Sequence, residues 1–307
     1  GVSIPNGVTS LADRVFCGCA KLTDIILPAG ITEIDQWAFL NCSLLSNIHY
    51  KGTVEDWCRI PDLYGIMCHD VYNIKLYIND QDITKSLVIP DTVKSIGANA
   101  FSNCQIESAT IPTFAIPSIE KGSLKTLVIT TGESIPGRAF EHCTNLTNVT
   151  IPENVTDIGG FAFIQCPIET ATVSSHAVSA IKNEKLKTVI ITGGDTIYAY
   201  AFNDCISLSS VKISTSIINI GKNAFSGCTA LDNVTIPDNV TSIGEQAFHG
   251  CTNLTNIKLG KGVKNISNGM FSGCIKLAGI TFPDGLKNIG SQAFSGCTGL
   301  ISATIPN

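Results

Sequence analysis

The 307-residue sequence predicts an α/β-type, β-rich repeat solenoid. The expected form is a right-handed array of coils with parallel strands on one face and short strands and helical turns on the other. Three observations carry this. A Phe-x-x-Cys pair occurs ten times. The last five pairs follow one another at a single unbroken interval, from Phe202/Cys205 to Phe294/Cys297. Each pair also closes a unit that opens on a short run of alternating apolar residues. A fixed period of roughly 20–50 residues is the mark of a stacked array. A unit this short cannot bury its apolar face alone, and stacking pools those faces into one core.

The pairs are Phe16/Cys19, Phe39/Cys42, Phe101/Cys104, Phe140/Cys143, Phe163/Cys166, Phe202/Cys205, Phe225/Cys228, Phe248/Cys251, Phe271/Cys274 and Phe294/Cys297. Within a unit, a run such as Leu254-x-x-Ile257-x-Leu259 alternates at its end and reads as a short strand with one face inward. A Pro or Gly stops it, as at Pro152, Pro237, Gly260 and Pro283. A second extended piece, Val-x-x-Ile-Gly, follows. Ala-Phe-x-x-Cys then fits one helical turn, since residues three apart share a helix face. Asn, Gly, Thr and Ser supply the corners.

The period is broken in a regular way. The steps from Phe101 to Phe140 and from Phe163 to Phe202 are equal, and each is longer than the common step from Phe225 to Phe248. Each therefore hides a shortened coil, near 113–129 and 175–191. The strands of those short coils, 125–129 and 187–191, are offset by the same amount as the matching stretches 106–110 and 168–172. A block spanning both features is therefore read as duplicated. The resulting organisation is one continuous solenoid with coils over 1–50 and 87–307. Residues 51–86 read as a non-repeat insertion, with a short helix expected over 54–60 and a hairpin over 74–89.

Composition agrees with a folded, weakly charged array. Charged residues make up 15% of the chain, against a usual quarter. The net charge is -5, which argues against a nucleic-acid footprint. No window reaches 18 consecutive apolar residues, so no membrane span is expected. The 29 threonines suit strand surfaces and imply solvation by hydroxyls rather than ions. No signal peptide is visible. The chain opens at a strand end and stops at Ile305-Pro306-Asn307, the start of another coil, so further protein or an unusual cap is expected beyond it.

The pattern Leu-x-x-Ile-x-Ile-Pro-x-x-Val-x-x-Ile-Gly-x-x-Ala-Phe-x-x-Cys, carried almost without error over 253–297, resembles the BspA-like leucine-rich repeat family. The resemblance covers 2–50 and 87–307. It implies a curved leucine-rich-repeat solenoid on bacterial or protist cell surfaces. Founding members are similar to adhesins, so the resemblance implies a secreted or cell-surface adhesion module. Its partner would be a host matrix or cell-surface protein of unknown identity. No catalytic residues carry over. Residues 51–86 depart from the pattern and look like a segment inserted in some bacterial relatives.

Candidate sites follow from exposure and residue type. The ten ladder cysteines read as buried thiols, because each follows the same core Phe and free Cys is among the most buried residue types. Cys17 reads as a surface residue. His49, Cys58, Cys68 and His69 contain the donor types of a tetrahedral zinc site. Their spacing matches no familiar finger, and packing or a Cys58–Cys68 pair is the preferred reading, so no metal and no cofactor are expected. No Gly-x-Ser-x-Gly elbow, His-Glu-x-x-His or P-loop is present, and His142 and His249 read as solvated corners, so no enzyme is expected.

Binding is expected on the outward strand slots, which alternate with core positions. They include Asn148, Thr150, Thr170, Thr172, Ser210, Lys212, Asn233, Thr235, Asn256 and Lys258. This would be the concave face that solenoids use for binding. A second candidate is the insertion, where Trp57, Tyr64, Tyr72 and Tyr77 concentrate aromatic contact residues; a buried anchoring role is preferred for Trp57. The leading function is a non-enzymatic protein-binding surface module. A glycan-binding module and a passive surface stalk are the alternatives, the glycan reading being weakened by a 7% aromatic content that is mostly ladder Phe.

Overall fold

The computed structural model describes residues 1–68 and 73–304. The chain forms two compact units, Gly1–Leu146 and Thr147–Asn307, each built from parallel strands stacked coil upon coil.

In the amino-terminal unit, Asp24–Leu27, Asn47–Tyr50 and Lys75–Ile78 pair in parallel. Val2–Ser3 extends one edge of this sheet and Gln81–Asp82 closes the other as an antiparallel strand. Leu87–Val88, Ser108–Ile111 and Thr126–Ile129 form a further parallel set. In the carboxyl-terminal unit, Asn148–Ile151, Thr170–Val173, Thr188–Ile191 and Ser210–Lys212 pair in register. Asn233–Thr235, Asn256–Lys258, Gly279–Thr281 and Ser302–Thr304 do the same. Opposite these run two-residue strands, such as Thr196–Ile197, Asn219–Ile220 and Ser242–Ile243.

Alternation sets the core. In Asn148–Ile151 the side chains of Val149 and Ile151 are buried, while Asn148 and Thr150 are half-buried on the other face. Parallel pairing lays each buried position beside its counterpart, so the core is a set of ladders. The ladder phenylalanines stack at ring-centroid distances of 5.1, 5.2, 5.8 and 5.4 Å from Phe202 through Phe225, Phe248 and Phe271 to Phe294.

The Phe turn is not the helical turn that its spacing suggests. In all ten units the residue two after the ladder Phe has a positive φ, from Gly18 to Gly296, and in nine the residue two before it does as well. The reason lies in the hydrogen bonds. The Phe225 amide donates to the Ala247 carbonyl at 2.8 Å, and the Phe248 amide to the Met270 carbonyl at 3.0 Å. These amides point along the stack to the next coil, and a left-handed residue on each side of the Phe turns them there. Gly and Asn dominate these positions because they enter this region most readily.

The cysteines are more than apolar filling. The Cys228 and Cys251 thiols each donate to the carbonyl of the ladder Phe one coil earlier, Phe202 and Phe225, at 3.1 Å. Cys274 does so at 3.2 Å and Cys297 at 3.0 Å. Eight of the ten ladder thiols are buried, but Cys297 is half-buried and Cys19 is exposed, so burial fails in the first and last units. Cys17 is exposed.

Residues 51–86 differ most from expectation. A helix forms at Val54–Arg59, held by a capping box in which the Thr53 hydroxyl accepts from the Asp56 amide and the Asp56 carboxylate accepts from the Thr53 amide, each at 3.1 Å. A second helix, Tyr64–Met67, follows. The hairpin is only Lys75–Ile78 with Gln81–Asp82, and it does not reach 89. Leu87–Val88 pairs instead with Ser108–Ile111. Moreover, Lys75–Ile78 is a coil strand, in register with Asn47–Tyr50. The helical stretch occupies the place of a Phe turn, since the Gly97 amide donates to the Cys58 carbonyl and the Leu63 amide to the Ala98 carbonyl. The segment is thus part of the stack rather than an excursion from it.

Candidate binding face

The outward strand slots line up in rows because the register is parallel. In the carboxyl-terminal unit, Asn148, Thr170, Thr188 and Ser210 form one row, and Thr150, Thr172, Ile190 and Lys212 the next. Asn233 lies beside Asn256, Thr235 beside Lys258, and Lys258 beside Thr281. Asn148, Thr150, Thr170 and Thr172 are half-buried, whereas Ser210, Lys212, Asn233, Thr235, Asn256 and Lys258 are exposed. Six of the ten candidate residues therefore share one parallel sheet and the other four a second, and the two sheets adjoin at Ser210–Lys212 and Asn233–Thr235. Neither Lys212 nor Lys258 has an acidic partner among the described residues.

Gly279 opens a dip in this face. Its row neighbour Ser302 carries a side chain, and a Cβ at Gly279 would lie 2.9 Å from the Ser302 hydroxyl. The dip belongs to a groove of about 930 Å³ whose lining includes Asn256, Lys258, Thr281 and Thr304 together with Asp238 and Asp284. That volume is in the range of ligand-sized clefts.

The amino-terminal unit has a different strand face. Asp24, Asn47 and Lys75 form one row, and Ile26, His49 and Tyr77 the next. The rings of His49 and Tyr77 stack at 4.4 Å and 8°, and His49 Nε2 lies 3.9 Å from the Asp24 carboxylate. Lys51 bonds Asp80 at 2.6 Å, and that hydrogen bond holds the Asp80 carboxyl below its usual range. Tyr77 is thus a strand-face residue and not an insertion residue.

The other insertion aromatics divide. Trp57 is fully buried and donates its indole N–H to the Ala100 carbonyl at 2.8 Å, so it is an anchor and not a contact residue. Tyr64 is exposed on its short helix. Tyr72 and His69 lie outside the described residues. Cys58 and Cys68 are free thiols, not a pair. Burial pushes the Cys58 thiol up to about 12. Among the described residues no group of three or more His, Cys, Asp or Glu could hold a metal ion, and no helix is long and apolar enough to cross a membrane. His142 is exposed, while His249 is half-buried with its Nδ1 shielded from water and unpartnered.

Exposed rings also occur outside the candidate residues, at Trp37, Phe114, Phe161, Tyr198 and Tyr200, and the last three lie close together in the chain's fold around one short coil. The available signal was Tyr198-Ala199-Tyr200 before Ala201-Phe202, where three of the four later coils have Gly before a polar pair and the other has Ser267-Asn268-Gly269.

Stacked parallel strands, one side in the core and the other a continuous polar face, define a leucine-rich-repeat type of solenoid. The chain belongs to the BspA type leucine rich repeat family, whose repeat matches in six copies over 1–59, 120–189 and 195–307. No curated protein matches it. Among solved structures it is similar to a leucine-rich repeat protein from Bacteroides ovatus, with 25% identity over 94% of this chain and 91% of that one and a TM-score of 0.44. It is also similar to a T. pallidum leucine rich repeat protein, with 26% identity over 64% and 78% and a TM-score of 0.38. A third is a leucine rich cell surface protein from Faecalibacterium prausnitzii, with 25% identity over 99% and 81% and a TM-score of 0.33.

Proposed function

We propose that the chain is a non-enzymatic module that binds another protein through its strand faces, displayed at a bacterial cell surface in an adhesin-like role. The observation that carries this reading is the in-register face itself. Its outward slots are hydroxyls, amides and two unpaired lysines on rigid strands, and the groove at Gly279 gives that face a recess. A rigid face of this kind lets polar contacts form without loop ordering, which is a main cost of association. Family membership supports an interaction scaffold. Immobilised extracellular-matrix proteins probed with the purified chain test the reading. Saturable binding is expected, weakened at least about tenfold by Lys258→Glu at an unchanged melting temperature, the loss typical of a contact worth about 1.4 kcal/mol. Silence across the panel, with no change on Lys258→Glu, favours a passive stalk.

A further inference from the structure

Between the coils of Phe163 and Phe202 lies one shortened coil, which turns through Ser175–Ala177 and the helix Val178–Ile181 in place of a Phe turn. The missing turn leaves a cleft on each side. One, of about 410 Å³, is lined by Phe161, Ile164, Ser179 and Lys182 among others. The second, of about 270 Å³, is lined by Ser175, Ser179, Lys182, Tyr198 and Tyr200. Neither lining contains a carboxylate, and Lys182 is the one cation in both.

The rings here are out of character for the chain. Phe161 is 61% exposed, Tyr198 50% and Tyr200 52%, while the ladder rings are mostly buried. Phe161 and Tyr200 also hold φ of +61° and +60°, at the position two before the ladder Phe where most other coils have Asn, Gln, Arg or Gly. A bulky side chain in this region is an outlier, and such strain persists where the surroundings impose it, often at functional sites. The duplicated block supplies an internal control. At the five positions where this copy has Phe161, His176, Lys182, Tyr198 and Tyr200, the first copy has Asn99, Phe114, Glu120, Pro136 and Arg138. A short coil therefore does not need this ring set or this cation. His176 meets Tyr198 edge-on at 6.0 Å, and Lys182 Nζ donates to the Tyr200 backbone carbonyl at 3.0 Å, which ties the ammonium to the coil that carries that ring. Ser175, 2% exposed, lines the second cleft, and its hydroxyl has no hydrogen-bond partner among the described residues.

We propose that this pair of clefts binds an anionic oligosaccharide containing uronic acid. The sugar rings lie with their apolar faces on Phe161 and Tyr200, a carboxylate pairs with Lys182, and ring hydroxyls reach Ser175 and Ser179. The geometry suits a chain molecule: the two rings flank a single coil, so they are roughly 10 Å apart by two strand spacings, within reach of alternate sugars of one oligosaccharide. Each cleft is close to or within the size range of small-molecule sites and small for a protein anchor. Extended proline-rich peptides also dock on exposed rings, but they offer nothing to a lone cation.

Calorimetric titration of the whole chain with a hyaluronan hexasaccharide, a neutral chitin hexasaccharide and decaproline tests this. The expected result is saturable hyaluronan binding that weakens with salt, with chitin weaker and decaproline silent. Phe161→Asn with Tyr200→Asn should weaken hyaluronan binding at least about tenfold, equivalent to about 1.4 kcal/mol. The same variant should melt at the same or a higher temperature, because Asn tolerates the left-handed region. A packing role for the rings would lower it. Lys182→Gln should abolish the preference for hyaluronan over chitin. The proposal is overturned if hyaluronan does not bind, if chitin or decaproline binds as well or better, or if the ring and lysine variants bind like the parent. Lys258→Glu on the strand face should leave sugar binding unchanged, so failure here is separable from failure of the protein-binding reading.

Discussion

A ladder cysteine does two things at once: it fills the core beside a Phe and it donates its thiol to the Phe carbonyl of the preceding coil. Its periodicity was legible in the sequence, but its hydrogen bond was not, because the acceptor is a backbone group of another coil that every residue type carries. The left-handed flanks of the Phe were hidden for the same reason, since they answer to carbonyls of the neighbouring coil. Burial predicts reactivity. A thiol reagent on native protein should label Cys17 and Cys19 quickly and Cys68 and Cys297 slowly, and the nine buried thiols only after denaturation. Rapid labelling of Cys251 in native protein would contradict the ladder. Burial also predicts an alkaline limit. Desolvation pushes Cys58, Cys104 and Cys274 from the ordinary 9.0 up to about 12, and Cys205 to about 11. Between these values the unfolded chain has lost protons that the folded chain keeps, so stability falls as pH rises, by about 1.4 kcal/mol per pH unit for each such thiol. The melting temperature should show no thiol-linked change up to about pH 9 and a steep fall above it. A flat profile through pH 11 would show the thiols to be ionisable in the folded state.

At the level of elements, each coil is stabilised by its neighbours. Phe248 is fully buried between Phe225 and Phe271, so Phe248→Ala should cost about 3–5 kcal/mol. Phe294 is half-buried and has one ladder neighbour, with Phe282 edge-on at 6.0 Å. Its replacement by Ala should cost clearly less, and equal costs by chemical denaturation would argue against a one-dimensional stack. The sequence misled most at 51–86. Phase was read from Phe-x-x-Cys, and this coil has neither residue of the pair in that spacing, because Trp57 and two short helices occupy the place of the Phe turn. The alternation of Leu76, Tyr77 and Ile78 was visible but had no marker to assign it to the array. A linker replacing 53–84 removes the strand Lys75–Ile78 and the bond from Trp57 to Ala100 together. That variant should lose cooperative melting, and a sharp transition near the parental temperature would restore the insertion reading. The milder Trp57→Phe leaves the buried Ala100 carbonyl unpaired and should cost about 1–3 kcal/mol.

For the molecule as a whole, what the sequence made readable was whatever repeats. Period-two alternation located the outward slots of the carboxyl-terminal unit correctly, because one register governs all of its strands. Single departures from the repeat were harder to place: Tyr77 turned up on the strand face, Trp57 in the core, and the Tyr198–Tyr200 pair in clefts that exist only because one coil is short. These departures divide the molecule into surfaces of different chemistry, and ionic strength separates them. The strand face of the carboxyl-terminal unit is dominated by Thr, Ser and Asn, with Lys212 and Lys258 exposed to water. Exposed charges beyond a Debye length are screened by salt, and isolated surface ion pairs are worth little in any case. A protein bound there through hydroxyls and amides should keep most of its affinity when salt is raised severalfold, with the change appearing chiefly in the association rate. Surface plasmon resonance across a salt series reads both quantities. An equilibrium affinity that collapses with salt would instead assign the contact to ionic groups, to Lys212 and Lys258 if Lys258→Glu also weakens it, and otherwise to the Asp24, His49 and Lys75 cluster of the amino-terminal unit.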